Sequence, residues 1–201
     1  MKTIILTKKN WRAAIQEAVV ALLRGRVVAY PTETSYGLGA DATNKQAVRK
    51  VFWIKDREKA RLLSVLVANK TMVRRYAKFT ESAERLWDAF LPGPLTIVIP
   101  GRWGGTIGIR LSAHPFASAL AKAIGRPMTA TSANISGDPS ISDAGEILSI
   151  FSGRLHKPDL LIDAGVLPSR RPSTVVDCTG ERAQLLRKGP IPFLRIKEIL
   201  Q

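Results

Sequence analysis

Three groups of residues carry chemistry that a hydrophobic core does not need. Lys55 and Arg57 are cations two residues apart, the stretch 131–140 offers hydroxyls and an amide (Thr131, Ser132, Asn134, Ser136, Ser140), and Arg110 stands alone in an apolar run. A fourth stretch, Tyr30-Pro31-Thr32-Glu33-Thr34-Ser35-Tyr36-Gly37-Leu38-Gly39, follows the apolar Val27-Val28-Ala29 and packs hydroxyls, a carboxylate and an aromatic into ten residues. Loops that leave a sheet with such side chains are where α/β proteins place ligands. Cations combined with hydroxyl and amide loops suit the positioning and charge stabilisation of a nucleoside triphosphate better than covalent catalysis. Composition alone also fits a solvated turn at 30–39 and a solvated helix end at 55–57, where cations are favourable in any case. If Lys55 and Arg57 lie in extended chain their side chains point the same way, whereas on a continued helix they diverge by about 200°.

Several chemistries are excluded. There is no G-x-x-x-x-G-K-[ST] loop, so bound ATP would not sit in a Walker A cradle. Gly37-Leu38-Gly39-Ala40-Asp41-Ala42 satisfies the loose dinucleotide pattern, but that pattern must link a strand directly to a helix, and here the next helix start is Asn44. Cys178 is the single cysteine and His114 and His156 the two histidines, too few for a Cys/His zinc site and incompatible with an intrachain disulfide. His114 precedes Pro115 at a helix start and reads as structural. No apolar run approaches the roughly 20 residues that cross a bilayer, and Met1–Leu6 is too short for a signal peptide; a cytoplasmic protein with no membrane association is expected.

The formal charge is +15 and unevenly spread: residues 1–78 hold 17 Lys or Arg against 5 Asp or Glu. Within 45–78, eleven basic residues face only Asp56 and Glu58. Such an excess attracts nucleic acid, nucleotide phosphates or an acidic membrane surface, and charge does not separate these.

The elements that must position these groups follow from periodicity. Thr3–Leu6 reads as a strand; Asn10 caps a helix whose apolar residues recur at three- and four-residue steps to a stop at Gly25. A strand over Arg26–Tyr30 delivers the polar decapeptide, and Pro31, lacking an N–H, is expected to turn it out of the sheet. Asn44 caps a helix to Ile54, Leu62–Val67 is a buried strand, and two helices fall between Lys70 and Phe90. Leu95–Pro100 and Thr106–Leu111 form a candidate hairpin, with Thr106, Gly108 and Arg110 on one face. A helix through Ile124, a strand at Pro127–Ala130, a helix over Asp143–Phe151 and strands near 160–162, 173–178 and 184–186 complete an α/β chain of one domain, 1–201, with a C-terminal helix from Phe193.

Lys55-x-Arg57 and Ser132-x-Asn134, preceded by Pro31-Thr32-Glu33-Thr34 and Gly37-Leu38-Gly39, resemble the YrdC-type (TsaC) threonylcarbamoyl-adenylate synthase family. Further matches are Pro92-Gly93-Pro94-Leu95-Thr96, Arg110 with His114-Pro115, Pro172-Ser173-Thr174-Val175-Val176-Asp177 and Leu186-Arg187-Lys188-Gly189, in the family's order over nearly the whole chain. The resemblance implies a twisted, mixed α/β sheet flanked by helices, with a concave basic face. It also implies an enzyme that makes threonylcarbamoyl-AMP and pyrophosphate from L-threonine, bicarbonate or CO2, and ATP, with Mg2+ arriving on the ATP and no metal held directly by protein side chains. Downstream threonylcarbamoyl-transfer proteins would then modify tRNA. By the same resemblance Lys55, Arg57, Ser132 and Asn134 are the catalytic set holding ATP and magnesium, Thr106, Ser140 and Arg187 are further ATP contacts, and Thr32, Arg110 and Ser173 surround threonine.

Two departures stand out. Leu62-Leu63 and Leu66-Val67 replace the Pro-Leu and His-Val of many relatives, which bears on the threonine side of the pocket. The chain also ends soon after Arg187, as in the short stand-alone form, so Gly165–Pro172 is the candidate lid. A non-catalytic RNA-binding or ribosome-associated protein of the same fold is the competing reading, and retention of Ser132-Ala133-Asn134 favours the enzyme. A carbamoyl-adenylating domain of hydrogenase maturation proteins is disfavoured because those chains are much longer.

Overall fold

The computed structural model describes residues 1–56, 63–168 and 171–201. Its strands divide into two mixed sheets, with helices packed against them, rather than a single sheet.

The first sheet has the order β1-β9-β2-β3-β8. Here β1 is Lys2–Ile5, β2 Val28–Pro31, β3 Tyr36–Gly39, β8 Thr131–Ser132 and β9 Leu160–Asp163. Parallel pairing of β1 and β2 to β9 places chain segments more than a hundred residues apart side by side. Pro31 does not leave the sheet: it closes β2 opposite Tyr36, and β2 and β3 form an antiparallel hairpin around Thr32–Ser35. At the end of a strand proline's missing donor costs no interior ladder bond.

The second sheet has the order β11-β10-β5-β6-β4-β7. Here β4 is Val65–Leu66, β5 Leu95–Pro100, β6 Thr106–Arg110, β7 Met128–Thr129, β10 Thr174–Asp177 and β11 Gln184–Arg187. The expected hairpin is present, with Ile97 opposite Ile109 and Pro100 opposite Thr106. Alternation sends Leu95, Ile97, Ile99 and Ile109 into one core cluster with Trp87 and Val176. Thr96, Val98 and Arg110 are thereby left for the other face.

Most helix starts follow cap chemistry. Asn44 Oδ1 accepts from the N–H groups of Gln46 and Ala47 at the start of α2 (Lys45–Ile54), and Asp143 caps α6 (Ala144–Phe151). Asn10, expected to cap α1 (Trp11–Leu23), makes no side-chain bond to that helix. Its amide instead donates to Ile5 O and accepts from Thr7 N–H, bracing the β1–α1 turn. The helices between Lys70 and Phe90 are α3 (Lys70–Tyr76) and α4 (Glu81–Phe90); α5 is Pro115–Ile124 and α7 Phe193–Leu200. Helices α1 and α5 pack on one face of the first sheet through Ala14, Ala18, Leu22, Phe116 and Leu120. Residues of α2 and α6 cover its other face with Val51, Ile54, Ile147 and Phe151.

The two glycines of β3 have a packing role. A Cβ on Gly37 would sit 3.1 Å from the ring of Tyr30, and one on Gly39 would meet Tyr30 at 2.9 Å and Met128 at 2.3 Å. Their place within a strand, rather than in a strand-to-helix turn, disposes of a dinucleotide loop.

Candidate active site

Between the two sheets lies a cleft of about 250 Å³. The first sheet supplies Tyr30, Gly37 and Ser132 with Thr32, Thr34 and Ser35 of its hairpin turn, and the second supplies Thr96, Val98, Arg110, Val175 and Arg187. Ser140, Pro172 and Ser173 fill in from loops. Six of the residues singled out from sequence therefore meet in one place: Thr32, Arg110, Ser132, Ser140, Ser173 and Arg187.

Lys55 supports this wall from below. It is 3% exposed at the C-terminal end of α2, and its Nζ donates to Ser132 O at 2.7 Å and to both Asn134 O and Asn134 Oδ1 at 2.9 Å. Ser132 Oγ donates to Asn134 Oδ1, and Asn134 Nδ2 donates to Asp138 O at 2.6 Å. One ammonium thus gathers the Ser132–Asn134 segment into a compact turn, with the Ser132 side chain at the cleft. Immediately after Lys55, Asp56 has φ 47° and pairs with Arg154. Arg57 lies outside the described residues, as does Leu62.

The hairpin turn is internally bonded. Thr32 Oγ1 donates to Ser35 O at 2.6 Å and accepts from the N–H groups of Thr34 and Ser35. This fixes the Thr32 hydroxyl in a side-chain-to-backbone turn. Next to it Arg110 Nη2 donates to Glu33 Oε1 and to Thr34 Oγ1, both at 2.8 Å, while Ser112 Oγ donates to Glu33 Oε2. Burial alone would raise the Glu33 carboxyl, but the Arg110 charge and the bonds from Ser112 and Arg110 outweigh it and hold it below the usual glutamate range. Arg110 Nε is buried, with no hydrogen-bond partner among the described residues.

On the facing wall, Arg187 Nε donates to Ser173 O and its Nη2 to Ser173 Oγ, each at 3.0 Å, and Ser173 Oγ bonds Thr96 Oγ1 at 2.8 Å. Burial and the nearby Arg110 charge both lower the Arg187 pKa. Two guanidiniums sharing one cleft call for an anion between them.

Not every expected residue arrives. Thr106 is exposed at the outer end of β6, opposite Pro100, and does not line the cleft. His114 caps α5, its Nδ1 accepting from Phe116 N–H at 3.2 Å, and burial lowers its pKa. The candidate lid is anchored at its start: Tyr36 Oη donates to Gly165 O at 2.7 Å and Leu167 N–H donates to Ser142 O at 2.8 Å. Residues 169–170 lie outside the described residues. Leu66, the replacement for the family's His, does line the cleft together with Leu63, so its wall beside Arg110 is apolar at these points.

Glu33, Thr34 and Thr96 were not assigned roles from sequence. Thr96 had a signal: it is the polar residue inside the apolar run Leu95–Ile99, and it is 2% exposed.

The Sua5/YciO/YrdC family model, described as "Telomere recombination", matches residues 20–189. The chain belongs to this family. It is 37% identical over 203 residues to the putative threonylcarbamoyl-AMP synthase of Methanocaldococcus jannaschii, covering 98% of this chain and 95% of that protein. It is 36% identical to the threonylcarbamoyl-AMP synthase of Pyrococcus abyssi, covering 96% of this chain but 58% of that one. The solved structure of P. abyssi Sua5 complexed with L-threonine superposes with a TM-score of 0.88 at 34% identity, over 99% of this chain and 60% of that one. The chain therefore spans somewhat over half the length of the P. abyssi family member. The two-sheet arrangement with the cleft between is thus the arrangement of the Sua5/YciO/YrdC fold.

Proposed function

We propose that this chain is an L-threonylcarbamoyladenylate synthase, a nucleotidyltransferase that makes threonylcarbamoyl-AMP and pyrophosphate from L-threonine, bicarbonate or CO2, and ATP. The observation that carries the reading is the pairing of Arg110 and Arg187 across one cleft whose third side is the Ser132–Asn134 turn held by Lys55. The names borne by family members of similar sequence support the same reaction.

In this reading Arg110 takes the threonine carboxylate, with Thr32 and Ser173 beside it. Ser132, Ser140 and Arg187 contact the nucleotide from the cleft lining, Lys55 and Asn134 act from behind the Ser132 turn, and Arg57, outside the described residues, is assigned to the nucleotide by the resemblance; Thr106, away from the cleft, receives no role. The threonine amine adds to CO2 and loses a proton, giving a carbamate. A carbamate oxygen then attacks the α-phosphorus, its P–O bond forming as the bond to the pyrophosphate leaving group breaks. Charge on the α-phosphate rises as this happens, and fixed cations offset it without reorganising. Holding two reactants in line removes much of the entropic barrier.

The donor set of the cleft, guanidiniums, hydroxyls and an amide, matches phosphate and carboxylate oxygens. Among the described residues no group of three His, Cys, Asp or Glu side chains is placed to hold a metal. Mg2+ would enter on the phosphates of ATP, where it would supply charge neutralisation for the departing pyrophosphate. Delivery of the product to tRNA through downstream threonylcarbamoyl-transfer proteins, RNA contact on the basic surface and a cytoplasmic location belong to the same proposal, since ATP, threonine and tRNA meet there. Among the described residues no helix is long and apolar enough to cross a membrane.

Mass spectrometry of the product formed from ATP, L-threonine and bicarbonate, with L-serine as control, tests the reading. A threonine-dependent threonylcarbamoyl-AMP ion is expected; salt-sensitive RNA binding with no ATP turnover at any threonine concentration would favour the non-catalytic alternative.

A further inference from the structure

Arg110 faces the cleft, but the carboxylate that holds it does not. Glu33 is absent from the cleft lining, and the pair is nearly enclosed, with side chains 12% and 10% exposed for Arg110 and Glu33. Both Glu33 oxygens are occupied, Oε1 by Arg110 Nη2 at 2.8 Å and Oε2 by Ser112 Oγ, and Ser112 Oγ in turn accepts from His114 N–H at 3.1 Å. The anchor is therefore stiff: it links the hairpin turn to the segment that enters α5. Arg110 Nη2 is also bonded to Thr34 Oγ1, whereas Nε is buried and has no partner among the described residues.

We infer that Glu33 is a positioning residue: it acts through Arg110, fixing the guanidinium so that the part of it that lines the cleft is preset for a substrate carboxylate. The inference rests on the reading of Arg110 as the threonine-carboxylate contact. Arginine is suited to this because its planar fork can bind two carboxylates on different edges at once, one structural and one from substrate. Glu33 also neutralises Arg110 while the cleft is empty, which limits the cost of a buried cation. With both Glu33 oxygens already bonded and no access to the cleft, a direct role for it as a base on the threonine amine is disfavoured.

The test is a double-mutant cycle of Glu33→Gln and Arg110→Gln in the full chain, reading the threonine KM, the ATP KM and kcat. Glu33→Gln is expected to raise the threonine KM by about ten-fold or more with kcat and the ATP KM within about three-fold, the pattern of lost binding rather than lost chemistry. In the Arg110→Gln background the same change is expected to add less than about two-fold, because residues acting as a unit are non-additive. Ser112→Ala, a smaller perturbation, is expected to raise the threonine KM about three-fold and serves where Glu33→Gln does not fold. A full ten-fold effect of Glu33→Gln persisting without Arg110, or a fall in kcat at unchanged threonine KM, overturns the inference while leaving the cleft reading intact. An Arg110→Gln variant with an unchanged threonine KM overturns both.

Discussion

Lys55 Nζ bonds both oxygens of Asn134, the backbone carbonyl and the side-chain Oδ1, at 2.9 Å each. One cation at the end of a helix thus fixes the shape of a loop some eighty residues later in the chain, and the same cation is proposed to act on the nucleotide through that loop.

Replacing it should therefore separate two effects. Lys55→Met keeps the apolar stem but leaves three oxygens, including Ser132 O, without that donor. We expect a stability loss of about 1–3 kcal/mol for the unsatisfied groups. Turnover should fall about 10²–10³-fold, the usual scale for removing one preorganised charge-stabilising donor. Chemical denaturation and pyrophosphate release measure the two; turnover within two-fold of the parent would remove Lys55 from the chemistry.

Arg187→Lys tests the facing wall. Arg187 uses two different nitrogens to hold Ser173 O and Ser173 Oγ, a fork that a lysine cannot reproduce. The ATP KM is expected to rise about ten-fold while the far-ultraviolet spectrum is unchanged, since the charge and most of the stem are retained. An ATP KM equal to that of the parent would show that the cleft needs only a positive charge at this position.

Glu33 predicts a pH dependence. Its carboxyl lies below the ordinary value in the folded chain because Arg110 and Ser112 overcome the opposing effect of burial. As pH falls, the unfolded chain takes up this proton first, so the stabilisation present at neutral pH shrinks below the ordinary glutamate value of 4.5 and is lost as pH passes the lower folded value. Thermal midpoints measured from pH 6 downward should fall more steeply for the parent than for Glu33→Gln. Parallel slopes would contradict the assignment.

Gly189→Ala tests how tightly the cleft's far wall is packed. A Cβ there would lie 2.2 Å from Thr174 N and 2.5 Å from Pro172 O, backbone atoms with no rotamer to give way. The segment 172–174 must move, at a cost of about 1–3 kcal/mol, and it carries Ser173 with it. We expect lower stability together with a raised KM for at least one substrate; a variant as stable and as active as the parent would mean that the segment yields freely.

Much of this was legible in the sequence for local reasons. The β5–β6 hairpin follows from two alternating apolar runs around Gly101–Gly105, and Asn44 and Asp143 cap helices because each precedes an amphipathic stretch. Asn10 has the same signature, but its side chain is taken by the turn before the helix, bonding Ile5 O and Thr7 N–H, a local competition that the cap pattern alone does not resolve. Pro31 stays in the sheet because a proline's cost depends on whether the strand continues, and here it is the last residue of β2. Glu33 and Thr34 escaped assignment because their partner, Arg110, is 76 or more positions away, and pairing between sheets leaves no periodic trace. Thr106 shares a strand face with Arg110, yet alternation fixes only the side of a strand and says nothing about how far along it a ligand reaches.

The division of the strands into two sheets sets when the protein becomes competent. Each wall of the cleft belongs to a different sheet, and both sheets are closed by pairings between distant segments, Lys2 with Leu160 in one and Leu95 with Thr174 in the other. Contacts of such sequence separation form late, after their loop-closure entropy has been overcome. During refolding, helical signal should therefore recover before substrate binding, and the interval between them reports the time needed for the two sheets to dock.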